Sequence, residues 1–451
     1  MPAVSPAESG RIFVPLPPLL AWFVFAYGMS YKVLFPALAE SLGHGQGHEL
    51  ASLVILLAGL HWTVACAPIL LEGRSVGLVH PLAFPLLFAT AKELLLSPFS
   101  LVAPFFGRLH LLAVIYPSTS LALGDVSFDD VMAARALHKG TELVAVLAFY
   151  AGYFFVDQIR VPRGPSRSPP PVGAMTAAAV AWSALSFLAL IALLHFRGGL
   201  ESHLLKLTTE RCAQFESLGH IILVVKIAGI AALALACRGV TTRSGVMFLV
   251  ASYALLCSFV VDGARSGPIY LILLLLLVRA MFDHRLPTIR FLLAACLTLA
   301  ALGAFGLIRH DWNAERLRWE VLRPEEHGAW LEKAFSEVAQ RRAEEADVAA
   351  LARLHETGML GGRTYLGALL FFVPRSLWPE KPRSAGAYNN HYNFSRTHVT
   401  NDFPRDWGIP VSVPTEAYWN FGWVGVLVIF AAIGGIFRAL ADIVRARNGH
   451  G

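Results

Sequence analysis

The sequence predicts an all-α polytopic membrane protein that crosses the bilayer about ten times. Three observations predict it. Only 15% of the 451 residues are charged and 56% are hydrophobic, with a mean hydropathy of +0.57, whereas soluble domains are nearer a quarter charged. Apolar runs approaching the roughly 20 residues that cross a bilayer as helix recur along the chain. Basic residues fall in alternate short loops: Arg11; Arg74; Arg160, Arg163 and Arg167; Arg238 and Arg243; Arg285 and Arg290; Arg438, Arg445 and Arg447. That asymmetry sets orientation and puts both termini in the cytoplasm. The net charge of +6 is therefore a feature of topology and does not suggest a nucleic-acid partner.

Taken in order, the spans are expected at about 13–36, 50–72, 77–97, 138–157, 173–196, 218–237, 244–262, 266–283, 290–308 and 417–440. The first run, from Ile12 to about Ala39, is long and lacks a small-residue cleavage site, so no cleavable signal peptide is expected. The third is the least defined, because the chain stays apolar to Leu123 and suits a re-entrant or interfacial segment as well. Ser127-Phe128-Asp129-Asp130 has the form of a capping box ahead of the next helix, which outweighs a catalytic carboxylate pair. Residues 1–160 thus form an N-terminal set of helices, and 161–172, rich in Pro, Arg and Ser, a cytoplasmic linker. Residues 173–308 form a central set, 309–416 a large extracytoplasmic loop, and 417–451 the last helix with a basic tail. Within the large loop, the charged stretch Trp330–Thr357 reads as surface helix. The five cysteines lie mostly in or beside spans and show no metal spacing, and no disulfide is expected.

Chemistry is expected where cations, aromatics and prolines gather at the membrane surface. Gly362-Arg363-Thr364-Tyr365 leads into an apolar run too short to cross, which suits the interface. Pro374 stops it, and Arg375, Trp378, Lys381 and Arg383 follow at headgroup level. Such a set suits an anionic headgroup and a sugar ring, or an ordinary anchoring belt. Arg265, in the turn Asp262-Gly263-Ala264-Arg265-Ser266-Gly267, suits a clamp on a lipid-linked diphosphate because its planar fork matches phosphate, or a pair with Asp262. Arg211, in the second outer loop, reads as solvated or phosphate-binding, and Lys226 lies within a span. Glu416, with Tyr418 and Asn420, opens the last span. An acid there offsets the helix dipole, and could equally orient or deprotonate a hydroxyl while Tyr418 and Asn420 hold sugar hydroxyls. His61, His203, His220, His310, His391 and His398 show no i, i+4 metal pattern, so no metal is expected. No Walker loop, dinucleotide fingerprint, zincin helix or nucleophile elbow is present in the sequence, and no cofactor is expected.

Three of these stretches together carry a resemblance. Gly-Ala-Arg-Ser-Gly at 263–267, Phe-Val-Pro-Arg-Ser-Leu-Trp-Pro-Glu-Lys-Pro at 372–382 and Thr-Glu-Ala-Tyr-Trp-Asn-Phe-Gly-Trp-Val-Gly at 415–425 resemble the O-antigen polymerase (Wzy-type) or oligosaccharide repeat-unit polymerase family. Gly198-Gly199, Arg211 and Gly219 are similar too, and the likeness runs from about residue 138 to the end. It implies a GT-C-like glycosyltransferase of the bacterial inner membrane. Such an enzyme moves a growing glycan from undecaprenyl diphosphate onto the non-reducing end of another lipid-linked repeat unit at the outer face. By the same resemblance Arg265, Arg211 and Arg375 would bind the diphosphate with Lys381 in support, and Glu416 would position or deprotonate the acceptor. The partners implied are the lipid-linked oligosaccharide and membrane lipids, with room for a chain-length regulator and a flippase. An O-antigen ligase, a non-enzymatic flippase and a membrane acyltransferase are the competing readings. The last would need a deep histidine, and none stands out in the sequence.

Overall fold

A computed structural model describes residues 17–42, 48–72, 80–86, 126–156, 172–203, 218–240, 253, 261, 343–370, 373, 377–394 and 411–447. Among these residues regular structure is helical throughout. Four helices are long and apolar enough to cross a membrane: Pro18–Leu38, Ala51–Leu71, Gly173–Phe196 and Val413–Ile443, with a shorter apolar stretch at His220–Ala232. These overlap five of the expected spans. The expected spans at 266–283 and 290–308 lie outside the described residues, as do most of those at 77–97 and 244–262.

The described chain divides into two compact units. One comprises Met1–Ser166, Phe335–Leu370 and Lys381–Gly451; the other comprises Arg167–Ala334 and Phe371–Glu380.

In the first unit, α1 (Pro18–Met29) passes through a π-helical turn at Ser30–Leu34 into α2 (Phe35–Ser41). It packs on α3 (Ala51–Glu72), where the Trp62 indole donates to the Phe25 carbonyl at 3.1 Å. The central element is α4 (Phe128–Phe155), packed against α3, α7 (Ala343–Ala352) and α11 (Val413–Arg447). Its N-terminus is capped as the sequence predicts. Ser127 Oγ accepts the Asp130 amide at 3.1 Å and donates to the Asp130 carboxylate at 2.6 Å.

Glycines decide how closely α4 and α11 approach. A Cβ added at Gly152 would overlap the Ala431 carbonyl, and one at Gly434 would overlap the Phe149 carbonyl. Backbone meets backbone at both points, and only hydrogen side chains permit it.

In the second unit, α5 (Val172–Phe196) and α6 (Gly219–Val240) pack as a pair through Leu190, Leu193 and Val225. Ser186 donates to the Val225 carbonyl at 3.0 Å. Arg197 follows α5 directly and is buried, and its guanidinium donates to His203 Nδ1 at 2.7 Å. Burial lowers the Arg197 pKa.

The first unit holds one correction. The stretch 330–357, read as a surface helix for its charge, contains α7, in which Ala346 to Ala352 are all buried. Small alanines let α7 approach α4, with Val348, Ala349, Leu351 and Ala352 packing on Val131 and Ala134. Glu344 pairs with Arg135 and Lys139 across the interface, and Asp347 accepts the Ser412 amide.

Candidate functional site

Three short α-helices also belong to the first unit: α8 (Leu354–Thr357), α9 (Arg363–Leu369) and α10 (Ala385–Asn389). They bring two of the sequence stretches together. α11 is broken at Gly422, whose φ of 62° and ψ of −153° are open to glycine and strained for other residues. The break leaves carbonyls of the first segment without helical partners. Leu360 and Gly361 supply them, the Leu360 amide donating to the Trp419 carbonyl at 2.9 Å and the Gly361 amide to Asn420 at 3.1 Å. Gly361 and Gly362 both have positive φ, and a Cβ on Gly362 would stand 2.7 Å from the Phe421 ring. Asn420 Nδ2 donates to Thr364 Oγ1 at 2.8 Å and to the Glu416 carbonyl at 2.8 Å. Tyr365 stacks on Phe421 with centroids 5.9 Å apart.

Of the residues singled out from the sequence, this junction gathers Arg363, Glu416 and Asn420. Arg363 is exposed and Glu416 half-buried. Asn420 is buried, with its amide nitrogen committed to protein partners and no hydrogen bond on Oδ1. Tyr418 is half-buried and turns away from the junction onto the α4–α7 cluster and the edge of Trp423. The Tyr365 phenol is pushed above its ordinary pKa by burial and, secondarily, by the Glu416 charge. Lys381 is half-buried and Arg383 exposed in the same unit, while Trp378 is half-buried in the other. Arg211, Arg265 and Arg375 lie outside the described residues.

Beside this junction lies a buried ionic network absent from the sequence reading. α4 presents Arg135, His138, Lys139 and Glu142 on one face, at i, i+3 and i+4 spacing. Lys139 Nζ bridges two carboxylates, Glu142 at 3.0 Å and Glu344 of α7 at 2.5 Å. Arg135 donates to the other Glu344 oxygen at 2.9 Å. Burial pushes the Glu344 carboxyl up, but the Lys139 and Arg135 charges more than reverse this and hold it below the ordinary carboxylate range. Asp347, one turn on, behaves oppositely. Burial raises it, although its Oδ1 accepts the Ser412 amide at 2.6 Å.

His138 links the network to the junction. Its Nδ1 lies 3.2 Å from Thr415 Oγ1, which accepts from the Ser412 hydroxyl at 3.1 Å. On the other side His138 Nε2 stands 3.5 Å from Glu142 Oε1. The sequence reading found no deep histidine, yet His138 is 1% exposed. The signal that could have found it is His138-x-x-x-Glu142 with Lys139 between, three ionisable residues opening a run otherwise apolar to Phe155.

No family model, curated protein or solved structure matches this chain. Its chemistry has to be read from its own residues. Within the junction, Gly422→Ala is expected to cost about 1–3 kcal/mol, the penalty for an L-residue in an essentially glycine-only backbone region, read by denaturant unfolding in detergent. Ala432→Gly, exposed in the following segment, should cost only about 1 kcal/mol by helix propensity and leave the junction intact.

Proposed function

We propose that this membrane-embedded chain is a glycosyltransferase of the repeat-unit polymerase type. It transfers a growing glycan from undecaprenyl diphosphate to the non-reducing end of another lipid-linked repeat unit at the outer face of the bacterial inner membrane. The reading includes about ten spans in a GT-C-like arrangement, cytoplasmic termini and an outer loop at 309–416.

The supporting observation is the junction itself. Two stretches that lie 50 residues apart, Gly361–Tyr365 and Thr415–Gly422, interlock through backbone bonds and the Asn420–Thr364 bond. Glu416 and exposed Arg363 are held at their meeting point. The junction forms at the start of a membrane-length helix, where a lipid-linked substrate presents its first sugars.

The chemistry asks little more. The leaving group is a diphosphate, so Arg265, Arg211 and Arg375, with Lys381, stabilise the charge that develops on it. Glu416 accepts the proton of the attacking acceptor hydroxyl. Trp378 offers a face to a sugar ring, and Arg383 adds a positive charge for the substrate.

The test is deletion in the host, with surface glycan run on a gel and the lipid-linked pool read by mass spectrometry. Loss of the ladder with accumulation of single repeat units on the carrier is expected. Wild type should restore the ladder, and expressed Arg375→Ala or Glu416→Gln should not. Long polymer left on the carrier would mean a ligase, and repeat units held on the cytoplasmic side a flippase. Either would overturn the reading.

A further inference from the structure

The geometry points to a zinc-class divalent cation site in the first unit, held by His138 Nε2, Glu142 and Glu344. It is independent of the glycosyl-transfer reading.

Four observations carry it. First, one donor atom from each of His138, Glu142 and Glu344 lies within 4.8 Å of the others. Second, two buried imidazole nitrogens from different helices aim at one carboxylate without hydrogen-bonding to it. His138 Nε2 is 3.5 Å from Glu142 Oε1 and His61 Nδ1 is 3.9 Å from Glu142 Oε2. Both nitrogens are buried and neither has a hydrogen-bond partner. Two ligands bound at about 2.1 Å to a tetrahedral ion stand about 3.4 Å apart, so the His138–Glu142 gap is too long for a hydrogen bond and fits a shared ion.

Third, the opposite nitrogen of His138 faces Thr415 Oγ1 at 3.2 Å. A proton on Nδ1 donated there leaves the Nε2 lone pair turned toward Glu142, which is the tautomer a metal ligand needs. Fourth, the donors come from two helices, α4 and α7, so a single ion would clip the α7 segment onto α4. Mixed imidazole and carboxylate donors suit zinc and its neighbours over calcium or magnesium.

Lys139 sets the terms of binding. Its ammonium lies between Glu142 and Glu344, and Arg135 adds a second positive charge on Glu344. A divalent ion therefore competes with Lys139 for the same two carboxylates and binds as Lys139 leaves them. Lys139→Met should bind the ion more tightly than wild type.

The full chain, purified in detergent and stripped with chelator, would be loaded with Co2+ and separately titrated with Zn2+. Expected are tetrahedral d–d bands from Co2+, one Zn2+ per chain, and a rise in thermal midpoint on loading. His138→Ala and Glu142→Gln should abolish the bands. Thr415→Val should weaken binding by about 10–100-fold, the usual cost of losing an outer-shell partner of a ligand histidine, and Lys139→Met should tighten it. Folded wild type with no Co2+ bands and no retained Zn2+ would overturn the site. So would ion binding that His138→Ala, Glu142→Gln and Lys139→Met leave unchanged. The Co2+ spectrum of wild type decides the matter even where a variant fails to fold.

Discussion

Glu344→Gln is expected to destabilise the protein by about 3–5 kcal/mol at neutral pH with chelator present, the range for breaking one side of a buried ion pair. Arg135 and Lys139 would each lose a charged carboxylate partner. Asp347→Asn, three residues away on the same helix, is expected to raise stability at neutral pH. An asparagine oxygen can still accept the Ser412 amide, and the variant drops a charge that burial disfavours.

The two acids also have opposite pH signatures. Glu344 titrates lower in the folded state than unfolded, so its contribution is present above the ordinary carboxylate range and is lost as pH falls below it. Asp347 titrates higher when folded. Its contribution is present below the ordinary aspartate range and is lost as pH rises through the raised value. Unfolding midpoints across a pH series should therefore show the Asp347→Asn gain shrinking toward acid while the Glu344→Gln loss shrinks as well. Equal losses from both variants at neutral pH would contradict the arrangement of α7 on α4.

The second large effect is expected at the helix crossing. Gly152→Val and Gly434→Val each place side-chain carbons on a backbone carbonyl of the partner helix. A carbonyl cannot rotate aside as a side chain can, so α4 and α11 must separate along their whole contact. A loss of about 3 kcal/mol or more is expected, the upper end of overpacking costs, with poor accumulation in the membrane. Gly173→Val, where an added Cβ meets nothing, should leave accumulation unchanged. It controls for the valine itself.

Much of the fold was legible because span length and apolar character are local properties. Helices around 18–41, 51–72, 172–196, 219–240 and 413–447 follow from runs of apolar residues, and the Ser127 cap from a four-residue pattern. The burial of α7 was not legible. Glu344 and Asp347 read as solvated charge because their partners Arg135, Lys139 and Ser412 lie 65 to 209 residues away. His138 and Glu142 escaped for a related reason: at the mouth of an apolar run they read as a boundary, not as a buried cluster. At the candidate site, the sequence pointed to Glu416 and Asn420 by their place at the start of the last span. It could not foresee that Gly422 breaks that helix and that Leu360 and Gly361 cap the break.

The proposal that Glu416 serves glycosyl transfer can be tested directly. The most direct measurement reconstitutes the purified chain with undecaprenyl-diphosphate-linked repeat units and follows chain growth and carrier release together. Wild type is expected to make glycans of two or more repeat units, releasing one undecaprenyl diphosphate for each linkage, and folded Glu416→Gln to make almost none. Folded wild type that consumes no lipid-linked repeat unit, or Glu416→Gln that polymerises at the wild-type rate, would contradict the account.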